Sequence, residues 1–94
     1  MDNSTHTLEK TVSIVNELGL HARAAAKLVN VAGKYHSHVT ISTGQLCADA
    51  KSILGVLTLA AGKDTPLKIE AEGPDNEQAL EAIIKLIDEK FGEE

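Results

Sequence analysis

An apolar stripe near the C-terminus narrows the choice of folds more than any other part of the sequence. From Glu77 to about Phe91, the residues Ala79, Leu80, Ile83, Ile84, Leu86, Ile87 and Phe91 recur at helical spacing. A helix with such a stripe has to bury it, and the chain upstream supplies a sheet to receive it. Leu8 to Val15 alternates Thr11 and Ser13 with Val12 and Ile14, which reads as a strand. His38 to Thr43 alternates in the same way, with Val39 and Ile41 on one face. Thr43-Gly44-Gln45 is a turn, and Leu46 to Ala50 returns as the hairpin partner. Leu67 to Ala71 is a further strand, with Leu67, Ile69 and Ala71 inward.

Two more helices fall between the strands. Ala22 to Ala32 places Ala25, Leu28, Val29 and Ala32 on one face, and Gly33 can stop it. Ser52 to Leu59 is a short apolar segment read as a short helix. Gly73-Pro74-Asp75 breaks the last strand, and Asp75 or Asn76 can cap the final helix. The resulting order, βαββαβα, suggests an α+β fold with helices on one face of a mostly antiparallel sheet. Ferredoxin-like domains share most of this order, so the pattern alone names no function.

With 94 residues, 43% hydrophobic and 24% charged, one domain spanning 1–94 and one modest core are expected. Residues 1–6 are polar and are expected to form a loose tail that includes His6. No apolar run approaches the ~18 residues that span a bilayer, and no signal peptide is visible. A cytoplasmic location and no membrane insertion are therefore expected. The one cysteine, Cys47, excludes an internal disulfide framework and reads as a small strand residue. Trp is absent, and Tyr35 and Phe91 are the only aromatics, which argues against base stacking. Net charge is −5, which argues against nucleic acid as a partner. The balance is uneven: residues 1–60 carry net +1 and the remainder −6. An anion site is thus expected in the first two thirds. Asp88, Glu89, Glu93 and Glu94 read as a solvated acidic tail.

The segment richest in chemistry is Gly19-Leu20-His21-Ala22-Arg23-Ala24-Ala25-Ala26-Lys27. His21 falls where a loop becomes a helix. Free backbone N–H groups and the helix dipole favour a bound phosphate there, and they favour a neutral, nucleophilic imidazole. Arg23 can offer a planar fork of donors to phosphate oxygens, and Gly19 lets the backbone pass close by. These residues suit a histidine that accepts and passes on a phosphoryl group, which needs position and charge more than covalent machinery. The simpler reading makes His21 a helix-start residue and Arg23 a solvated charge. His36 and His38 would share a side within a strand, but no third metal ligand is evident, so neither a metal nor a cofactor is expected.

Gly19-Leu20-His21-Ala22-Arg23-x-Ala25-Ala26 resembles the active-site signature of HPr, the histidine-containing phosphocarrier of the phosphoenolpyruvate-dependent phosphotransferase system. Lys51-Ser52-Ile53-Leu54-Gly55-Val56-Leu57-Thr58-Leu59 is similar to that family's regulatory-serine segment, and the likeness covers roughly residues 7–91. It implies an open-faced β-sandwich: a four-stranded antiparallel sheet covered on one face by three helices. It implies phosphorylation of His21 on Nδ1 by enzyme I, neutralisation of the phosphate by Arg23, and transfer to EIIA-type acceptors. It also implies a docking surface of Ala24, Lys27, Lys51, Ile53, Leu54 and Leu57, and a monomeric protein. Some of the apolar residues in that patch are expected to be core. Ser52 can be a helix N-cap or, as in some members, a target of HPr kinase/phosphorylase; a phosphate there would add about two negative charges.

One departure stands out: the family usually has proline after the arginine, where this chain has Ala24. Alanine keeps the helix and adds one N–H near the site. Asn16-x-Leu18-Gly19-x-His21-Ala22-Arg23 and Ile69-Glu70-Ala71-x-Gly73-Pro74 look like the nitrogen-related branch of the family. Lys51 to Gly55 looks more like the sugar branch, so both stay open. A partner-binding regulatory module with an incidental His21, and a ligand-binding ferredoxin-like domain, are the readings from other classes.

Overall fold

A computed structural model describes residues 7–93 of the chain. The expectations for residues 1–6 and for Glu94 lie outside the described residues. The elements run β1 Thr7–Ser13, α1 Ala22–Ala32, β2 His38–Thr43, β3 Leu46–Asp49, α2 Ile53–Thr58, β4 Pro66–Glu72 and α3 Asn76–Asp88, followed by a 3-10 turn, Lys90–Gly92. All strand pairs are antiparallel in the order β1-β4-β2-β3. The last strand thus inserts between the first two. Val39 pairs with Ala71 and Ile41 with Ile69 in the centre of the sheet, and all four are fully buried.

The alternation within each strand sends one row of side chains to the core and leaves the other in solvent. In β4, Leu67, Ile69 and Ala71 are buried while Pro66 and Glu72 are exposed. The helices cover the inward row, as the α+β reading requires. Ala24, Ala25, Leu28 and Ala32 of α1 are buried, as are Ala79, Ile83 and Ile87 of α3. The runs of alanine let α1 sit close to its neighbours, where bulkier side chains would hold it off. Leu80, Ile84 and Leu86, the flanks of the C-terminal stripe, pack partly buried against the same core.

The strands and α1 lie within a residue or two of their expected places. The C-terminal helix is shorter than expected. It ends at Asp88, and Lys90, Phe91 and Gly92 follow with φ of 59°, 56° and 77°. Phe91 still reaches the core and is fully buried, but through a left-handed turn instead of another helical turn. A left-handed conformation costs a residue with a Cβ about 1–2 kcal/mol, here both Lys90 and Phe91, and burial of the phenyl ring, worth about 1.5–3 kcal/mol, offsets much of that.

The capping of α3 also differs from expectation. Asp75 occupies the N-cap position but makes no side-chain cap. Its carboxylate instead accepts from the Ser37 backbone N–H (2.8 Å), the Ser37 hydroxyl (2.6 Å) and the His36 N–H (2.9 Å). This ties the start of α3 to the entry of β2. His36 therefore precedes the strand, so it does not share a strand face with His38.

Candidate functional site

The loop before α1 is set by a close backbone crossing. Gly19 has φ +66°, and a Cβ there would lie 2.5 Å from the Ala61 carbonyl oxygen and 2.8 Å from Gly62 Cα. The same Ala61 oxygen accepts the Leu20 N–H at 2.8 Å. Only glycine fits that conformation and approach without strain. Asn16, almost fully buried, spans the loop by donating from Nδ2 to the Gly19 carbonyl at 2.9 Å. These contacts hold the chain so that the next residue but one, His21, becomes the N-cap of α1.

His21 is extended (φ −78°, ψ −179°), and its side chain makes no cap hydrogen bond. Its carbonyl accepts the first helical bond, from Ala25 N–H at 2.8 Å. The N–H groups of Ala22, Arg23 and Ala24 belong to the first turn, which has no helical acceptors. His21, Ala22, Arg23, Glu17, Leu18 and Glu93 line an open hollow of about 590 Å³. Arg23 is exposed at its edge. Glu17, also exposed, is engaged by Lys63 at 2.8 Å, and that ammonium holds its carboxyl below the usual range.

The unexpected member is Glu93. The acidic tail read as solvated surface, yet this carboxylate turns back onto the site. Its Oε2 shares a hydrogen bond with His21 Nε2, and its Oε1 accepts from Asn16 Nδ2 at 3.0 Å. Side-chain exposure falls to 29% for His21 and 16% for Glu93. The His21 hydrogen bond, then the Asn16 one, hold the Glu93 carboxyl below its ordinary range. The left-handed turn at Lys90–Gly92 delivers Glu93 to this position. Lys27 fastens that turn by donating to the Phe91 carbonyl at 2.6 Å. No periodicity encodes such a return; the one signal in the sequence is Gly92, a residue suited to positive φ, directly before Glu93.

The remaining candidates divide by exposure. Leu54 and Ile53 are 74% and 41% exposed, and Lys51 is exposed with Nζ donated to the Tyr35 carbonyl at 2.8 Å. Leu57 is half-buried, and Val56 between them is core. Ala24, expected at the docking surface, is fully buried; its methyl packs inward and offers no side-chain surface. Lys27 is half-buried and engaged by the C-terminal turn. Leu18, at 68% exposure, lines the hollow and was missed by sequence reasoning, since a lone apolar residue in a turn carries no pattern. Ser52 is the N-cap of α2, its hydroxyl accepting the Gly55 N–H at 3.1 Å. No group of His, Cys, Asp and Glu among the described residues is arranged to hold a metal ion. No helix among them is long and apolar enough to cross a membrane.

A four-stranded antiparallel sheet backed by three helices, with a histidine at the N-cap position of the first, is the arrangement found in known small phosphocarriers. The family model described as "PTS HPr component phosphorylation site" matches residues 8–89. The phosphocarrier protein HPr of Cupriavidus necator is 46% identical over 86 residues, 92% of this chain and 97% of that protein. The phosphocarrier protein NPr of Shewanella violacea is 44% identical, covering 92% and 94%. A crystal structure of HPr from Thermoanaerobacter tengcongensis superposes with a TM-score of 0.89 at 41% identity, covering 93% of this chain and 98% of that one. The chain belongs to the HPr family of the phosphotransferase system.

Proposed function

We propose that this chain carries a phosphoryl group on His21, accepts it from enzyme I charged by phosphoenolpyruvate, and passes it to an EIIA-type protein. The observation that carries the reading is the placement of His21. It caps α1 beside the first-turn N–H groups and opens, with Arg23, onto one hollow. Free N–H groups and the positive end of the helix favour phosphate oxygens. Arg23 supplies a full charge and a planar fork of donors. The Nδ1 lone pair attacks phosphorus while the bond to the donor's leaving atom breaks, its electron pair departing with the donor. In that transition state charge is spread over the phosphoryl oxygens, and preorganised donors lower its energy.

Ile53 and Leu54 at the start of α2, and separately Leu18 at the hollow, are exposed apolar side chains of the kind transient partners use. Exposed Ser52 directly precedes Ile53. Phosphorylation of its hydroxyl by an HPr kinase/phosphorylase would set about two negative charges there.

The test is intact-mass analysis after incubation with phosphoenolpyruvate and enzyme I. The wild type should gain one acid-labile phosphoryl group and His21→Ala none. Equal labelling of both, or no labelling of the wild type by an active enzyme I, refutes the reading. A second reading assigns the chain to the nitrogen-related branch, with a regulatory EIIA as acceptor. The observation behind it is the 44% identity to the NPr of Shewanella violacea. Transfer from the labelled chain to a regulatory EIIA but not to a sugar-specific one would select it.

A further inference from the structure

The hydrogen-bond directions around Glu93 follow from the donor inventory. Asn16 Nδ2 faces two oxygens, the Gly19 carbonyl and Glu93 Oε1. Both can only accept, so the amide nitrogen, with its two hydrogens, is the group that meets them. Turning the amide over would set oxygen against oxygen. The price of this orientation is visible: Asn16 Oδ1 is buried with no partner among the described residues. The amide is thus held in a costly position that fixes one carboxylate oxygen, and the other oxygen falls on His21 Nε2. An ionised carboxylate has no hydrogen to give. Nε2 must therefore carry the ring hydrogen when the imidazole is neutral, and Nδ1 keeps its lone pair. No partner for Nδ1 is found among the described residues.

We infer that Glu93, anchored by Asn16, is a positioning residue for phosphotransfer: it holds His21 in the Nε2–H form and so presents Nδ1 as the nucleophile. This rests on the phosphocarrier reading above and adds to it the pair of residues, Glu93 and Asn16, that hold the ring in the form leaving Nδ1 free. As the Nδ1–phosphorus bond forms and the donor's bond to phosphorus breaks, the ring acquires positive charge. The carboxylate on Nε2 meets that charge, and the Nε2 hydrogen stays within the same hydrogen bond. Departure of the phosphoryl group to an acceptor returns the lone pair to Nδ1. Partners on the second nitrogen set tautomer and ring orientation in this way wherever an imidazole acts as a ligand or base. The incoming phosphoryl group is kept apart from the carboxylate because the two occupy different ring nitrogens.

The experiment compares wild type, Glu93→Ala and Glu93→Asp in two readouts. Ring nitrogen shifts of His21 in 15N-labelled protein, at about pH 8.5 where an ordinary imidazole is neutral, report the tautomer without any partner. Initial rates of phosphorylation by enzyme I report kcat and KM. The wild type is expected as the Nε2–H form. Glu93→Ala should show mixed tautomers and a kcat lower by about tenfold, with KM unchanged. Glu93→Asp, which keeps the charge, should recover part of both. Identical tautomers and rates in wild type and Glu93→Ala would overturn the inference, as would a loss confined to KM. Should Glu93→Ala fail to fold, an Nδ1–H wild type, or a Glu93→Asp variant with wild-type rate but lost tautomer preference, would overturn it equally. A wild type that takes no phosphate from an active enzyme I overturns the phosphocarrier reading itself. Normal phosphorylation of an unchanged Glu93→Ala variant overturns the role of Glu93 alone.

Discussion

Gly19→Ala should destabilise this protein far more than Gly44→Ala, although both glycines have positive φ, +66° and +55°. Each substitution places a Cβ in the left-handed region at a cost of about 1–2 kcal/mol. At Gly44 that is the whole cost, since nothing lies within 4 Å of the added carbon. At Gly19 the carbon meets the Ala61 carbonyl oxygen at 2.5 Å. That oxygen is backbone and already accepts the Leu20 N–H, so it cannot withdraw without losing a hydrogen bond. Relieving such overpacking costs about 1–3 kcal/mol more. Each kcal/mol lowers the melting temperature of a domain this size by about 4–8 °C. Thermal melts of the two variants by circular dichroism measure the difference directly, because the left-handed cost is common to both. A Gly19→Ala protein melting at or above Gly44→Ala would show that the crossing at Ala61 is not tight. The crossing would then not be what positions His21.

Two further outcomes concern the ends of helices. Ser52→Ala removes the hydroxyl that accepts the Gly55 N–H and should cost about 1 kcal/mol, read as a lower melting temperature, while Ser52→Asp keeps an accepting oxygen and should lose less. Asp75 is held at about 2, down from 3.8, chiefly by the Ser37 hydroxyl and then by the His36 N–H. A carboxyl whose folded value is depressed contributes stability that is present above its unfolded value and is lost as pH falls through the folded one. Denaturant melts should therefore show Asp75→Ala less stable than wild type above about pH 4, with the gap closing between about pH 4 and pH 2; a gap constant across that window would mean the Asp75 hydrogen bonds are not retained in solution.

What could be read from the sequence was whatever repeats. The two-residue alternation of β2 and β4 and the helical spacing in α1 each average over several positions, so a single exception does not mislead. The His21–Arg23 motif was legible because its elements are adjacent in the chain. What escaped were single side chains acting over long separations. Phe91 lies four residues beyond Ile87 and satisfies the helical pattern, yet it reaches the core through a backbone of opposite hand. The pattern records which side chain is buried, not the route it takes. Asp75 has a capping residue's chemistry at a capping position, but an unmet donor set at His36 and Ser37 claims it instead. Glu93 looked like solvent-facing charge because its partners, Asn16 and His21, are more than seventy residues away.

The acidity of the chain and the anionic cargo proposed for His21 are reconciled by the local balance of charge. Net charge is −5, with the excess in the C-terminal third. Glu77 and Glu81 of α3 are exposed, and such charges are screened at physiological ionic strength. Near His21, the balance differs. The helix terminus contributes about half a positive charge, Arg23 a full one, and Ala24 keeps an N–H that a proline would lack. Of the two carboxylates at the hollow, Glu17 is engaged by Lys63 and Glu93 by Asn16 and His21. Both negative charges are thus already partnered, and Glu93 faces the Nε2 edge. The Nδ1 edge carries no hydrogen bond from a described residue, and Arg23 lines the same hollow. With its carboxylate held on Nε2 by Asn16 and His21, Glu93 leaves Nδ1 open to the anionic cargo proposed for His21.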